Sequence, residues 1–446
     1  MSVSRVAKAE FRRRRQRLMA GMADHSIAII PSASLTVRNR DIHYPFRQDS
    51  DFYYLTGFEE PDSWLVLCPG REQGTELIFC LERNPEWEEW HGPLAGPERV
   101  VSLLGVDDAF PSADLDEILP GLIEGRSRVY TIIGANPRLD HMLMEWTRTI
   151  RQKQSIGALP PEDFSDLRHL LHEQRLVKSA AEISLLRKAA DISVAAHKRM
   201  LKCVRPGVFE YQLQAELEYE FMRSGAQRVA YPPIVASGAN ACILHYSRND
   251  KKLGKDGLLM VDAGCEYQYY AMDISRTYPI NGHFSAEQRQ LYELVLAAQN
   301  AAISVIRPGV AFDLPHQMAT KIMTEGLLAM GWITGSYEAA MAQNLAQPFF
   351  KYRTSHWLGL DAHDVGDYRI GGQWRILEPG MVLTVEPGIY IQVDNDRVSP
   401  ALRGTGIRIE DTVLVTRDGH DVLSGQLPKT VEDIENLMAG RQWSLL

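Results

Sequence analysis

Cysteine is scarce and shows no pairing pattern: five residues in 446 (Cys68, Cys80, Cys203, Cys242 and Cys265), with no CxxC. An odd number of cysteines set in apolar runs such as Leu259-Met-Val-Asp-Ala-Gly-Cys265 supports neither a zinc knuckle nor a disulfide framework. Buried free thiols in a reducing cytoplasm are the expectation. Long hydrophobic runs are absent, which excludes a membrane-spanning helix, and the first residues lack the apolar stretch of a signal peptide. Excess positive charge is absent too. Lys and Arg total 48 against 57 Asp and Glu, a net charge of −9, which argues against a nucleic-acid partner. The basic run Arg12-Arg13-Arg14-Arg15 falls in a helical pattern with Phe11, Leu18, Met19 and Met22, and a solvated helix face is expected there.

What is present suits a globular protein. With 446 residues, 45% hydrophobic and 24% charged, the chain exceeds one ordinary core, so two domains are expected. Up to about residue 175, β-rich runs (Ser26–Pro31, Trp64–Cys68, Leu77–Leu81) alternate with helical stretches, the pattern of an α/β domain. A Pro/Gly break at Gly157-Ala-Leu-Pro-Pro161 precedes a helical stretch over 166–175, and the boundary is placed there. Ser179 and Glu182 then have capping-box spacing, and Ile183, Leu186, Ala190 and Val194 continue a long helix. Arg205-Pro-Gly-Val208 recurs as Arg307-Pro-Gly-Val310. Each copy follows one helical pattern and precedes another that ends near a glycine, Gly225 or Gly331. Two such halves imply a pseudo-symmetric domain with a site between them.

Each half carries two carboxylates in apolar strand patterns. Asp262 interrupts Leu258-Leu-Met-Val-Asp-Ala-Gly and Asp273 lies in Ala271-Met-Asp-Ile; Glu386 ends Met381-Val-Leu-Thr-Val-Glu and Glu410 lies in Arg408-Ile-Glu-Asp. A buried acid is costly unless paired or ligated, and the neighbourhood offers only Arg276 and Arg408 as cations. With His356 these carboxylates form a hard, oxygen-rich ligand set suited to Mn, Co, Fe or Zn. Two carboxylate-bridged ions would stand roughly 3.5–4 Å apart and activate a shared water.

The order Asp262, Asp273, His356, Glu386, Glu410, with Ile243-Leu-His-Tyr, Ser355-His-Trp-Leu-Gly-Leu-Asp-Ala-His-Asp-Val-Gly366 and Val385-Glu-Pro-Gly-Ile-Tyr390, resembles the pita-bread metallopeptidases. Within them the likeness is to bacterial Xaa-Pro aminopeptidases, and through Tyr44-Pro-Phe-Arg-Gln-Asp-Ser-Asp-Phe-Tyr-Tyr-Leu-Thr-Gly57 it reaches the N-terminal domain. The resemblance implies an α/β creatinase-like domain over 1–175, serving oligomerisation and substrate access, and an α+β pita-bread catalytic domain over 176–446. It implies two divalent ions, manganese first, and peptide substrates with proline second. Asp262 would chelate one ion, His356 and Glu386 the other, with Asp273 and Glu410 bridging. A hydroxide between the ions would attack the scissile carbonyl, and Glu386 would shuttle its proton. His245 and His363 would stabilise the carbonyl oxygen, Arg408 would hold a bridging carboxylate ionised, and Tyr390 would line the site. Asp41 and Trp90 align with residues that reach a neighbouring subunit's site in a homotetramer or dimer. One position departs from the family: where the bacterial enzymes have a further histidine, four residues before the metal-binding one, this chain has Tyr352. A prolidase shares the core, and a non-catalytic peptide-binding relative would lose ligands.

Overall fold

The computed structural model describes residues 6–440. The chain divides into two compact units, Met1–Arg175 and Leu176–Leu446. The extreme ends of both expected domains, 1–5 and 441–446, lie outside the described residues.

The first unit is built on a six-stranded sheet in the order Asp108–Pro111, Glu76–Cys80, Trp64–Leu67, Ser26–Pro31, Arg128–Thr131, Asp163–Asp166. The three strands read from sequence are its middle, buried on both faces, which is why they appear as unbroken apolar runs. Ile27, Ile29, Val66, Leu77 and Phe79 pack there against Leu119, Leu143 and Trp146. The helix Lys8–Ala20 corrects one expectation: Arg14 and Arg15 are buried, not solvated. The reason is helical spacing. Arg15 stands four residues after Phe11 and three before Leu18, so it falls on the apolar face. It is tolerated because its guanidinium donates to Glu76 Oε2 at 2.9 Å and to the Leu55 and Leu104 carbonyls. Arg14 lies over the Tyr54 ring at 4.1 Å and donates to the Tyr54 carbonyl.

The second unit repeats itself. Helices Ala180–Leu201 and Glu210–Arg223 open its first half, and Ala286–Ser304 and Leu314–Ala329 its second. The Ser179 capping box is formed. The repeated Arg-Pro-Gly-Val turns make the same bonds: Gly207 N to the Leu253 carbonyl at 2.9 Å and Gly309 N to that of Leu377 at 3.0 Å. In return, Leu253 N bonds the Val208 carbonyl and Leu377 N that of Val310, each at 2.8 Å. Gly207 and Gly309 both have left-handed φ, 89° and 87°, which explains the repeated glycine.

Three-stranded sheets follow in each half. In one, Ile234–Ser237, Leu258–Asp262 and Ser275–Pro279 are neighbours; in the other, Val382–Val385, Asp411–Val415 and His420–Val422. The strand Leu258–Asp262 pairs with Ser275–Pro279 so that Asp262 faces Ser275, and Val385 pairs with Asp411 in the matching place. The four carboxylates therefore sit at corresponding strand ends. Glu410 N donates to the Ser275 carbonyl at 2.9 Å, joining the two halves.

Candidate active site

The strand ends open on a cavity of about 810 Å³, lined among others by Tyr231, His245, Asp262, Asp273, Tyr352, His356, His363, Glu386, Arg408 and Glu410. At its floor the Nε2 of His356 lies 3.5 Å from Asp273 Oδ2 and 3.3 Å from Glu386 Oε1. Its Nδ1 faces the Trp357 carbonyl at 2.9 Å. That carbonyl can only accept, so Nδ1 carries a hydrogen and Nε2 is the nitrogen that can ligate once it gives up its own proton. Potential ligand atoms of Asp273, His356 and Glu410 all lie within 4.8 Å of one another.

The hydrogen bonding leaves negative charge uncompensated. The Tyr231 hydroxyl lies 2.6 Å from both Asp262 Oδ1 and Asp273 Oδ1, but has one hydrogen to give. Glu410 Oε2 accepts from Ser275 at 2.8 Å, while Oε1 is buried with no partner among the described residues. Burial pushes Glu386 up to about 7 and Asp262 up to about 6, with neighbouring carboxylates adding to the rise, and Glu410 is driven well above its ordinary range. Burial opposes protonation of His356, yet the hydrogen bond to Asp273 and the charges of Glu386 and Asp273 raise it to about 9. Burial raises Asp273 as well, but its hydrogen bond to His356 and the charge of that imidazole hold it below its ordinary range.

Arg408 is the cation within reach, and it corrects a second expectation. It donates to Asp262 Oδ2 at 2.5 Å and touches neither Asp273 nor Glu410; its strand, Thr405–Arg408, runs beside the strand that Asp262 ends. Its link to Glu410 passes through Ser275, whose Oγ accepts from Arg408 Nε at 2.9 Å. Tyr390 does not line the cavity. It is fully buried, accepting from Arg408 at 3.0 Å and meeting the Tyr352 hydroxyl at 2.6 Å. Tyr352 does line the cavity, with its hydroxyl 3.3 Å from the Glu386 carbonyl.

His363 stands edge-on to His356 with ring centroids 4.4 Å apart. Burial lowers its pKa, and the charges of His356 and His245 push the same way, so the imidazole is neutral near pH 7. Asp41 and Trp90 belong to the first unit and are not among the lining residues; both are exposed, Trp90 to 83%, so it is no core tryptophan. Sequence reading missed Tyr231, Ser275 and Thr384, whose Oγ1 accepts from His356 N at 3.1 Å and lies 3.3 Å from Glu386 Oε1.

Residues 184–417 match the model of metallopeptidase family M24, and residues 11–130 match that of the aminopeptidase P N-terminal domain. The chain belongs to metallopeptidase family M24. This M24 chain is 41% identical to the Xaa-Pro aminopeptidase of Escherichia coli over 98% of its length and 99% of the relative's. It is 40% identical to that of Haemophilus influenzae over 98% of both chains. Among solved structures, the aminopeptidase PepP of Pseudomonas aeruginosa is similar at TM-score 0.97 and 52% identity, covering 98% of this chain and 99% of that one. A zinc-substituted E. coli aminopeptidase P in complex with product is similar at TM-score 0.95 and 40% identity, covering 98% and 99%.

The residues fit the divalent metal that the M24 family implies. An unpartnered buried oxygen on Glu410, two carboxylates on one hydroxyl, and an imidazole with its Nε2 turned toward them are a donor set suited to a divalent cation.

Proposed function

We propose that the chain is an Xaa-Pro aminopeptidase, releasing the N-terminal residue from peptides with proline second by means of two divalent metal ions. The observation that carries this reading is the charge-deficient cluster of Asp262, Asp273, His356, Glu386 and Glu410. It stands in a chain that is 41% and 40% identical, over nearly its whole length, to two proteins named Xaa-Pro aminopeptidase.

Asp273 and Glu410 would be the ligands shared between the ions, because a carboxylate has two oxygens to offer and a neutral imidazole has one lone pair. Asp262 would hold one ion, and His356 and Glu386 the other. When bound, the ions supply an activated water near neutral pH and offset the charge that develops on the scissile carbonyl. Glu386 moves a proton from the attacking water toward the leaving proline nitrogen. His363 and His245 donate to the carbonyl oxygen as it becomes negative. Arg408 holds Asp262 in its ligating form and, through Tyr390, steadies Tyr352 at the cavity wall. Manganese, a cytoplasmic location and a homotetramer or dimer complete the reading. In such an assembly exposed Asp41 and Trp90 would serve a neighbouring copy's site.

The test is a peptide panel with added Mn²⁺: Xaa-Pro-Yaa, Xaa-Ala-Yaa and the dipeptide Xaa-Pro. Release of Xaa from the first and not the second is expected. Cleavage confined to the dipeptide would make the chain a prolidase, and no cleavage of any peptide would refute the proposal.

A further inference from the structure

Apart from Arg408 at its floor, the cavity has one further guanidinium in its wall. Arg353 lines the cavity three residues before His356, and its guanidinium lies over the Trp374 ring at 4.4 Å. Arg369 lies over the same ring at 4.0 Å. Trp374 is thus flanked by two guanidiniums, each within cation–π range. The pair is built, not incidental. Arg369 and Trp374 face each other across a two-residue β-hairpin whose turn, Gly371-Gly372, has φ of 56° and 81°. Behind them, Phe312 packs on Trp357 at 4.4 Å and on Trp374 at 6.4 Å, and Tyr368 stacks on Trp357.

The charges at this rim do not balance. Asp313 pairs with Arg353 and is itself held by Gln317 Nε2 at 2.7 Å, which fixes Arg353 in place. Arg369 is exposed and has no ion pair among the described residues. Two guanidiniums around one indole, with Asp313 paired to one of them, leave this arginine pair with net positive charge beside the cavity that Arg353 lines. Like charges at close range repel, and an incoming anion relieves the repulsion. Guanidinium offers a carboxylate two parallel donors, which suits it better than a lysine would.

We propose that Arg353 and Arg369, held against Trp374, form a carboxylate-binding subsite that sets substrate preference. Resting on the proposed peptidase function, it recognises an anionic group beyond the scissile bond. That group is the C-terminal carboxylate of a short peptide or an acidic side chain.

Three substrates separate the sources: Xaa-Pro-Ala as the free acid, Xaa-Pro-Ala amide and Xaa-Pro-Glu amide. Preference for the free acid marks the C-terminus; preference for the glutamyl amide over the alanyl amide marks a side chain. The preferred anionic peptide should exceed the alanyl amide by roughly fivefold in kcat/KM, the scale of a partly exposed ion pair, with the difference in KM. Arg369→Gln and Arg353→Gln should each bring that ratio toward one, and Arg369→Lys should retain part of it. A ratio taken on one preparation does not depend on how much of it is folded. Equal handling of all three substrates by the wild type, or an unchanged ratio in both Gln variants, overturns the subsite. Failure to cleave even the alanyl amide overturns the peptidase reading, and the subsite with it.

Discussion

Single atoms explain why the cavity floor needs a cation. Tyr231 has one hydrogen for two carboxylates, and Glu410 Oε1 has no donor at all. Orphaned acceptors of this kind cost about 1–3 kcal/mol each, more when charged, unless something positive is supplied. The ligating carboxylates were legible in the sequence because an acid in a buried strand is energetically anomalous wherever it occurs. Tyr231, Ser275 and Thr384 were not, because a hydroxyl in a half-apolar run is ordinary until its partner is known. Arg408 was legible as a functional residue but not its target, since which carboxylate it meets depends on the packing of strands more than 140 residues apart. At this scale His363 gives the sharpest expectation. His363→Ala should lower kcat by about 10²–10³, as loss of one transition-state donor does, with bound metal unchanged. Loss of metal in that variant would make His363 a ligand and contradict its assignment.

Between elements, the two halves solve one problem in two ways. Glu210 and Phe312 each stand two residues beyond the repeated turn, and each backbone N–H bonds a matching carbonyl, of Lys251 and Arg375. Phe312 fills its place with rings, packing on Trp357 and Tyr368 beside His356. Glu210 is fully buried and accepts from Ser237 N, Ser237 Oγ, Asn240, Tyr246 and Lys251 N, at 2.6–3.0 Å. These donors flank His245, so the carboxylate holds the loop that presents that histidine. Glu210→Ala should therefore cost about 3 kcal/mol or more in urea denaturation and lower kcat roughly 10–100-fold with metal content unchanged. A stability loss with full kcat would confine Glu210 to folding. The repeat itself was readable from four residues and their flanks, yet the different fillings of equivalent positions were not, because they depend on partners distant in sequence. The burial of Arg15 is legible in its helical spacing between Phe11 and Leu18, although a run of four arginines by itself reads as a solvated face.

Over the whole molecule, acid sensitivity and metal dependence belong to different units. In the first unit Asp51 is buried, which alone would raise its pKa, but Arg175 at 2.7 Å and His172 at 3.1 Å bring it down to about 2. Its folded pKa thus lies below the unfolded value near ~4. The stabilisation, about 2 kcal/mol, is present above pH ~4 and is lost as pH falls toward 2. Asp51→Asn should reduce the fall in urea stability between pH 5 and 3; an unchanged slope would remove Asp51 from that role. In the second unit burial and neighbouring carboxylates drive Glu410 well above its ordinary range, and no helix among the described residues is long and apolar enough to cross a membrane. The central claim is tested most directly by stripping the protein of metal and titrating it with Mn²⁺. Bound metal per chain is then followed together with release of Xaa from Xaa-Pro-Yaa. A two-ion site predicts no turnover in the stripped protein, saturation at two ions per chain, and neither in Glu410→Ala. Full turnover without metal, or undiminished metal uptake and turnover in Glu410→Ala, would contradict it.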